Sequence, residues 1–392
     1  MNKGRNHIAL ISTFIFTVSA CLYPYQPPTI LEAVDILVVD GFLDVTDGSA
    51  TIRLTHANTL SDANKAEAEL NASVSIQTEG GNSYTLTEQD SGTYTIVGLN
   101  VDPTAKYQLS IHTPDEDYLS DYVEIKQSPP IDSITWEAMD NGVNILVNAH
   151  DAAGSTRYYR WDYVETWQYH AAVSSDFKLV NKEPVYRTDA ERIHTCWRSL
   201  PSTKITIAST VRLAEDVVYQ YPIAFLPVGS NKISVKYSIL VKQRAVSKSE
   251  FDFWEQLKKT TEDVGGLFDP MPSQVPGNIH SLSNPGAPVL GYFSAGAAKE
   301  ERFFLDHSTL PFHLRKLIRQ PGCQVDTICV VPSIPRAFIC YMDLEDLTGT
   351  ETIGSALYSE TGPGIIGYTK STPACADCRT QGGSLTKPAF WP

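Results

Sequence analysis

Residues 72–112 read ASVSIQTEGGNSYTLTEQDSGTYTIVGLNVDPTAKYQLSIH, and apolar side chains recur there at every second position. Val74/Ile76, Tyr84/Leu86, Tyr94/Ile96 and Tyr107/Leu109/Ile111 alternate with polar neighbours. Successive side chains of a strand point to opposite faces, so this pattern buries one face of each strand and wets the other. Gly80-Gly81-Asn82, Asp90-Ser91-Gly92 and Asp102-Pro103 separate the runs with residues that tolerate tight turns. Short alternating strands about ten residues apart indicate an antiparallel sandwich. Upstream, Ile52/Leu54 extends the pattern, and Ile36-Leu37-Val38-Val39 reads as a buried strand running into a turn at Asp44-Val45-Thr46-Asp47-Gly48. Residues 30–128 are therefore expected to form an immunoglobulin-like β-sandwich, bounded by Ser128-Pro129-Pro130.

Beyond that boundary strands resume, at 133–137, 143–149, 158–170, 205–207 and 235–241. One helix is signalled near 248–263. Ser247 with Glu250 makes a capping box, Phe251, Trp254 and Leu257 follow at helical spacing, and Gly265 lies just past the end. The remainder is rich in Gly and Pro. Residues 131–392 thus read as a second β-sandwich region with one helix and a cysteine-rich C-terminal extension, in a mainly β protein.

The chain has 392 residues, room for two or three domains. Its 42% hydrophobic content, with 14 Phe, 19 Tyr and 6 Trp, is that of a folded protein rather than a disordered one. Forty-five acids against 31 bases leave a formal charge of −14. Such a surface repels phosphate backbones, so no nucleic-acid partner is expected.

Lys3 and Arg5 precede an uncharged apolar stretch, residues 8–18, that ends in Ser19-Ala20-Cys21. Eleven residues rise only about 16 Å as a helix, against a hydrocarbon core of roughly 30 Å. The proportions are those of a signal peptide over 1–20, and small residues ending at a cysteine resemble a bacterial lipobox. Cys21 is then the acylated first residue of the mature chain, and 21–29, with Pro24, Pro27 and Pro28, is a tether. Several acyl chains hold a protein stably where one is marginal. Leu22, rather than Asp, after the cysteine resembles lipoproteins sent to the outer membrane. The expected location is that membrane, lipid-anchored, with a lean toward the cell surface.

Six further cysteines, Cys196, Cys323, Cys329, Cys340, Cys375 and Cys378, are an even set in an exported chain, which suggests up to three disulfides in any of 15 pairings. Zinc needs two close pairs, and only Cys375/Cys378 is one. A redox role for that pair needs a βαβ context that the sequence lacks. No metal and no cofactor are expected.

The most unusual segment is YYRWDYVETWQYH, 158–170. On a strand, Tyr159, Trp161, Tyr163, Trp167 and Tyr169 share a face with Glu165. Two readings stand. The aromatics fill a sandwich core with Glu165 paired, or Trp161, Tyr163, Glu165 and Trp167 form a groove that stacks a sugar or peptide and accepts its hydrogen bonds. A second polar group, Asn278 with His280, reads as a loop bonded to its own backbone or as a small site. There is no Gly-x-Ser-x-Gly elbow, no His-Glu-x-x-His helix and no phosphate-binding Gly loop. Dispersed glycosidase carboxylates need no local motif, so a hydrolase is the least favoured alternative. No catalysis is expected.

Two resemblances add to this. Ala72-Ser73-Val74-Ser75-Ile76 and Gly92-Thr93-Tyr94 resemble the carboxypeptidase-regulatory type of sandwich, a module that presents surfaces. The chain from Cys21 onward resembles a Bacteroidota lipoprotein family known only as domain of unknown function forty-two forty-nine. The similarity rests on the Tyr-Pro-Tyr-x-Pro-Pro run after Cys21, Leu37-Val38-Val39-Asp40-Gly41, Tyr158-Tyr159-Arg160-Trp161, Phe251-Asp252-Phe253-Trp254, Gly277-Asn278-Ile279, Gly291-Tyr292-Phe293, Cys375-Ala376-Asp377-Cys378-Arg379 and Lys387-Pro388-Ala389-Phe390-Trp391. The family brings no catalytic residues to transfer. Its members are commonly encoded beside TonB-dependent outer-membrane receptors, which implies such a receptor as partner. The expected function is a non-enzymatic accessory or binding subunit in nutrient capture, with an independent glycan or peptide binder as the alternative.

Overall fold

The computed structural model describes residues 36–57, 67–181, 183–262, 277–315, 322–329, 342–343, 352–358 and 364–392. The signal peptide, Cys21 and the tether lie outside the described residues, as do Cys340 and the side chain of Cys329.

The alternating residues of the first region turn inward as their period requires. Leu37–Asp44 pairs antiparallel with Ser49–His56, which pairs with Thr93–Ile96. The opposing layer sets Ser73–Thr78 against Lys106–His112 and then Asp117–Ser120. Val39, Leu54, Val74, Ile76, Tyr94 and Leu109 interlock between the layers.

The division at 128–131 separates the sequence but not the sheets. After the helix the chain returns: Leu290–Ala297 runs parallel to Leu37–Asp44 on one side and to Val123–Gln127 on the other, and Ile279–Ser281 extends the second layer beside Asp117–Ser120. Residues 279–297, expected in the second region, complete the first sandwich instead. The physical reason is edge protection. Leu37–Asp44 buries one face throughout and the other from Phe42 onward, and would otherwise present an unpaired apolar edge. The close approach requires glycine at Gly291 (φ 137°), where a Cβ would stand 1.9 Å from the Val39 carbonyl oxygen. Asn278 secures the return, its Nδ2 donating to Phe293 O and its Oδ1 accepting from Phe293 N, both at 2.8 Å.

The second sandwich packs a three-stranded sheet, Ile131–Met139, Gly142–His150 and Val217–Pro227, on a larger one. The larger sheet runs Thr195–Pro201, Tyr158–His170, Lys236–Ala245, Lys299–Asp306, and Thr206–Ser209 pairs with the start of its central strand. The helix spans Lys248–Thr261 and wedges between the two sandwiches, with Phe253 and Trp254 against Ile207 and Tyr292. Only half of the expected capping box forms. Ser247 Oγ accepts from Glu250 N at 3.1 Å, but the Glu250 carboxylate turns inward to Trp254 and Ser294.

The C-terminal extension is a further sheet, in which Thr352–Tyr358 and Ile365–Ser371 join Phe177–Val180, contributed from far upstream. Two disulfides staple it: Cys196–Cys378 ties it to the second sandwich, and Cys323–Cys375 closes it on itself. The last residues fold back, Trp391 packing edge-on to Phe304 and donating to Gln168 Oε1 at 3.3 Å.

Candidate functional site

The Tyr158–His170 strand is central to its sheet, flanked on both sides; its aromatic face is buried, while Val164 on the other face is exposed. Trp161 is 0% exposed, Tyr163 8% and Trp167 5%. Several polar atoms of this face are consumed locally: Trp161 Nε1 donates to Gln243 Oε1 at 2.8 Å, Tyr159 OH to Asp216 Oδ2 at 3.0 Å, and Tyr169 OH to Cys378 O at 2.8 Å. The expectation of an open groove on Trp161, Tyr163, Glu165 and Trp167 is corrected here. The inter-sheet core claims the two tryptophans, because the face carrying five aromatics is the one turned toward the opposite sheet. Glu165, 7% exposed, is held by Lys232 Nζ at 2.6 Å and Tyr237 OH at 2.9 Å. Lys232 also stands 5.4 Å from the Trp167 ring. A buried carboxylate persists when it is paired and hydrogen-bonded, as this one is.

Two of the four residues nevertheless reach an opening. Between the edges of the two sheets lies a cleft of about 560 Å³, and the edge of Tyr163 and the Glu165–Lys232 pair form its floor. Burial, with the charges of Glu165 and Glu262, pushes the Tyr163 hydroxyl up to about 12, so it is a neutral donor at any physiological pH. Tyr221 and Phe225, from the edge strand Val217–Pro227, make one wall, and Lys204 and Lys258 stand at the rim. Glu262 lines the cleft too, but its Oε1 accepts from Ile205 N at 2.6 Å. The sequence reading passed over Val217–Pro227. The available signal was Tyr219 and Tyr221 two apart in a run broken by Pro222, which is how an exposed edge strand reads.

The opposite face of the Tyr158–His170 strand meets the first sandwich through charge. Arg160 bonds Asp162 at 3.1 Å and lies 3.7 Å over the Trp254 ring. Arg244 reaches Asp162 at 3.4 Å and lies 3.9 Å over Phe42, and Lys242 pairs with Asp44 at 2.9 Å. Burial would raise the Asp162 carboxyl, but Arg160 and Arg244 hold it lowered. For Glu250 burial wins and its carboxyl is raised above the usual 4.5, despite the same two guanidiniums. A carboxyl raised in the native state contributes fully below its unfolded value and loses that contribution as pH climbs through the native one. Glu250→Gln is therefore expected to melt above the wild type at pH 8, with the gap closing toward pH 4, as followed by thermal denaturation.

Asn278 and His280 do not converge on a site. Asn278 serves the strand return, and His280 Nε2 pairs with Asp121 at 3.2 Å on the surface. Among the described residues no cluster of three or more His, Cys, Asp or Glu is placed to hold a metal, and no helix is long and apolar enough to cross a membrane.

Residues 23–302 match the model of a family described as Domain of unknown function (DUF4249). No curated protein matches the sequence. Among solved structures, a segment of two fibronectin type III domains from chicken tenascin is similar at 10% identity, covering 54% of this chain and 91% of that one with a TM-score of 0.15. A DUF3823 family protein from Bacteroides ovatus is similar at 10% identity, with coverage of 54% and 90% and a TM-score of 0.13. The Yersinia pseudotuberculosis adhesin InvE is similar at 13%, with coverage of 53% and 54% and a TM-score of 0.13. At such scores the fold rests on the strand pairings above rather than on these likenesses.

Proposed function

We propose that this chain, which belongs to the DUF4249 family of unknown function, is a non-enzymatic accessory subunit, moored at the outer membrane through lipid on Cys21 and working with a TonB-dependent receptor in nutrient capture. One observation carries the non-enzymatic part. The two carboxylates that line the cleft under Tyr221 are both committed, Glu165 to Lys232 and Tyr237 and Glu262 to a backbone N–H. A hydrolase with dispersed acids needs one carboxyl free to give a proton and another free to take one or to attack. The mooring and the receptor rest on the lipobox at Ser19-Ala20-Cys21 and on the family resemblance. Two sandwiches interleaved along the chain and joined by an ion cluster suit a rigid platform. Independent glycan or peptide binding through Trp161 and Trp167 has lost its surface.

Affinity purification of the tagged protein from detergent-solubilised outer membranes should recover a large β-barrel protein in stoichiometric amount. Recovery of the lipoprotein alone sinks the receptor assignment. Mass spectrometry of the same sample should find an acylated Cys21, and an intact, unacylated N-terminus removes the anchor.

A further inference from the structure

The side of the second sandwich between Thr206–Ser209 and Val217–Pro227 is its open edge, where among the described residues each sheet ends without a further strand. Tyr221 OH donates to Ile207 O at 2.7 Å across that edge and seals the core beneath it. Two depressions flank this bridge, and Tyr221 lines both: the cleft of about 560 Å³ already described, and a shallower one of about 690 Å³ toward Val211 and Tyr219. Each has the size of a small-ligand site. Large apolar side chains crowd the rim in the open: Tyr219 is 75% exposed and Phe225 41%, both on the edge strand. Exposed aromatics at two neighbouring depressions point to an interaction site.

Three features narrow the occupant. First, the lining is mixed. Aromatic rings alternate with Asn144, Ser202, Thr203 and the Tyr163 hydroxyl, and that hydroxyl has no hydrogen-bond partner among the described residues. Flat rings beside neutral hydrogen-bonding groups fit a ligand that has both C–H faces and hydroxyls. Second, neither Lys204 nor Lys258 has an ion-pair partner among the described residues, whereas Lys106, Lys178, Lys236, Lys242, Lys248 and Lys259 each face a carboxylate. Lys204, Lys232 and Lys258 outnumber the two carboxylates of that lining, Glu165 and Glu262, and in a chain of formal charge −14 this locally positive rim provides a place for an anion. Third, the edge strand is a poor template for an added peptide strand. Pro222 lacks an N–H, and Gln220 (φ 47°) breaks the extended backbone.

We propose that this open edge is a binding groove for an acidic oligosaccharide, a chain of sugars bearing carboxylates, laid across Tyr221 with Tyr219 and Phe225 against its ring faces and Lys204 and Lys258 on its charges. The proposal uses neither the lipid anchor nor a receptor, so it stands or falls independently of the accessory role.

The test is isothermal titration calorimetry of the full mature chain with tetragalacturonate at low ionic strength. Saturable binding is expected, weakening as salt is raised because the lysines stand at a solvent-accessible rim. Tyr219→Ala and Phe225→Ala should each weaken it about tenfold, and Lys204→Gln and Lys258→Gln each up to about fivefold, the scale of one exposed ion pair. All four side chains lie at the surface, so unchanged melting temperatures keep the comparison clean. No heat at millimolar tetragalacturonate overturns the proposal, as does binding that all four substitutions leave intact. Equal affinity for neutral cellotetraose removes the acidic assignment. Equal affinity for an oligoglutamate peptide replaces the sugar with a peptide.

Discussion

Trp161→Ala should lower the unfolding free energy by about 4 kcal/mol, as read from chemical denaturation, placing this tryptophan in the core and not on a ligand face. Two losses combine. Removing a fully buried indole leaves a cavity beside Tyr159 and Tyr221, whose rings lie 5.6 and 5.2 Å from it. It also strands Gln243, a 0% exposed amide whose Oε1 accepts, among the described residues, only from Trp161 Nε1, while its Nε2 continues to donate to Pro129 O. An orphaned buried acceptor costs about 1–3 kcal/mol by itself. Trp161→Phe separates the terms, since it keeps most of the volume and loses the hydrogen bond, and about 2 kcal/mol is expected. If Trp161→Ala left stability within about 0.5 kcal/mol of the wild type, the scale of a surface substitution, the burial described here would be wrong.

The second large effect is covalent. Cys196–Cys378 links residues 182 apart in sequence and Cys323–Cys375 links residues 52 apart. In the chain-entropy model, closing loops of those lengths removes about 5 and about 4 kcal/mol of conformational freedom from the unfolded chain. Cys196→Ser with Cys378→Ser should therefore destabilise by about 3–5 kcal/mol and release the C-terminal extension to proteolysis first. It also removes the anchor beside Tyr169, whose hydroxyl donates to Cys378 O. Cys323→Ser with Cys375→Ser should cost somewhat less and leave the two sandwiches protected. The opposite ranking would mean that the extension holds itself in place without the longer-range link.

The strands of the first sandwich were legible because their burial is local. Val74/Ile76 and Tyr107/Leu109/Ile111 declare an inner face by alternation alone, and the structure buries those residues. The helix at Lys248–Thr261 was legible for the same reason, through Ser247 and the spacing of Phe251, Trp254 and Leu257. The inward turn of Glu250 was not, because its partner Ser294 arrives on a strand far along the chain.

The aromatic segment marks the limit. A core strand and a binding strand carry the same alternation of rings, and only the sheet facing them decides between the two. The partners that settle Glu165 lie 67 and 72 positions away. The groove residues were missed for a related reason. Tyr219, Tyr221 and Phe225 resemble core aromatics until Val217–Pro227 proves to be the last strand of its sheet.

The kind of structure follows from the residue order alone: period-two burial, turn chemistry and one capped helix are short-range consequences of side-chain polarity and backbone sterics. Which edges pair, that 279–297 completes the first sandwich, and which face of 158–170 is covered emerge once the chain has packed. Those outcomes depend on surfaces that meet across the chain, and hydrophobic burial is indifferent to how far apart in sequence the two surfaces began.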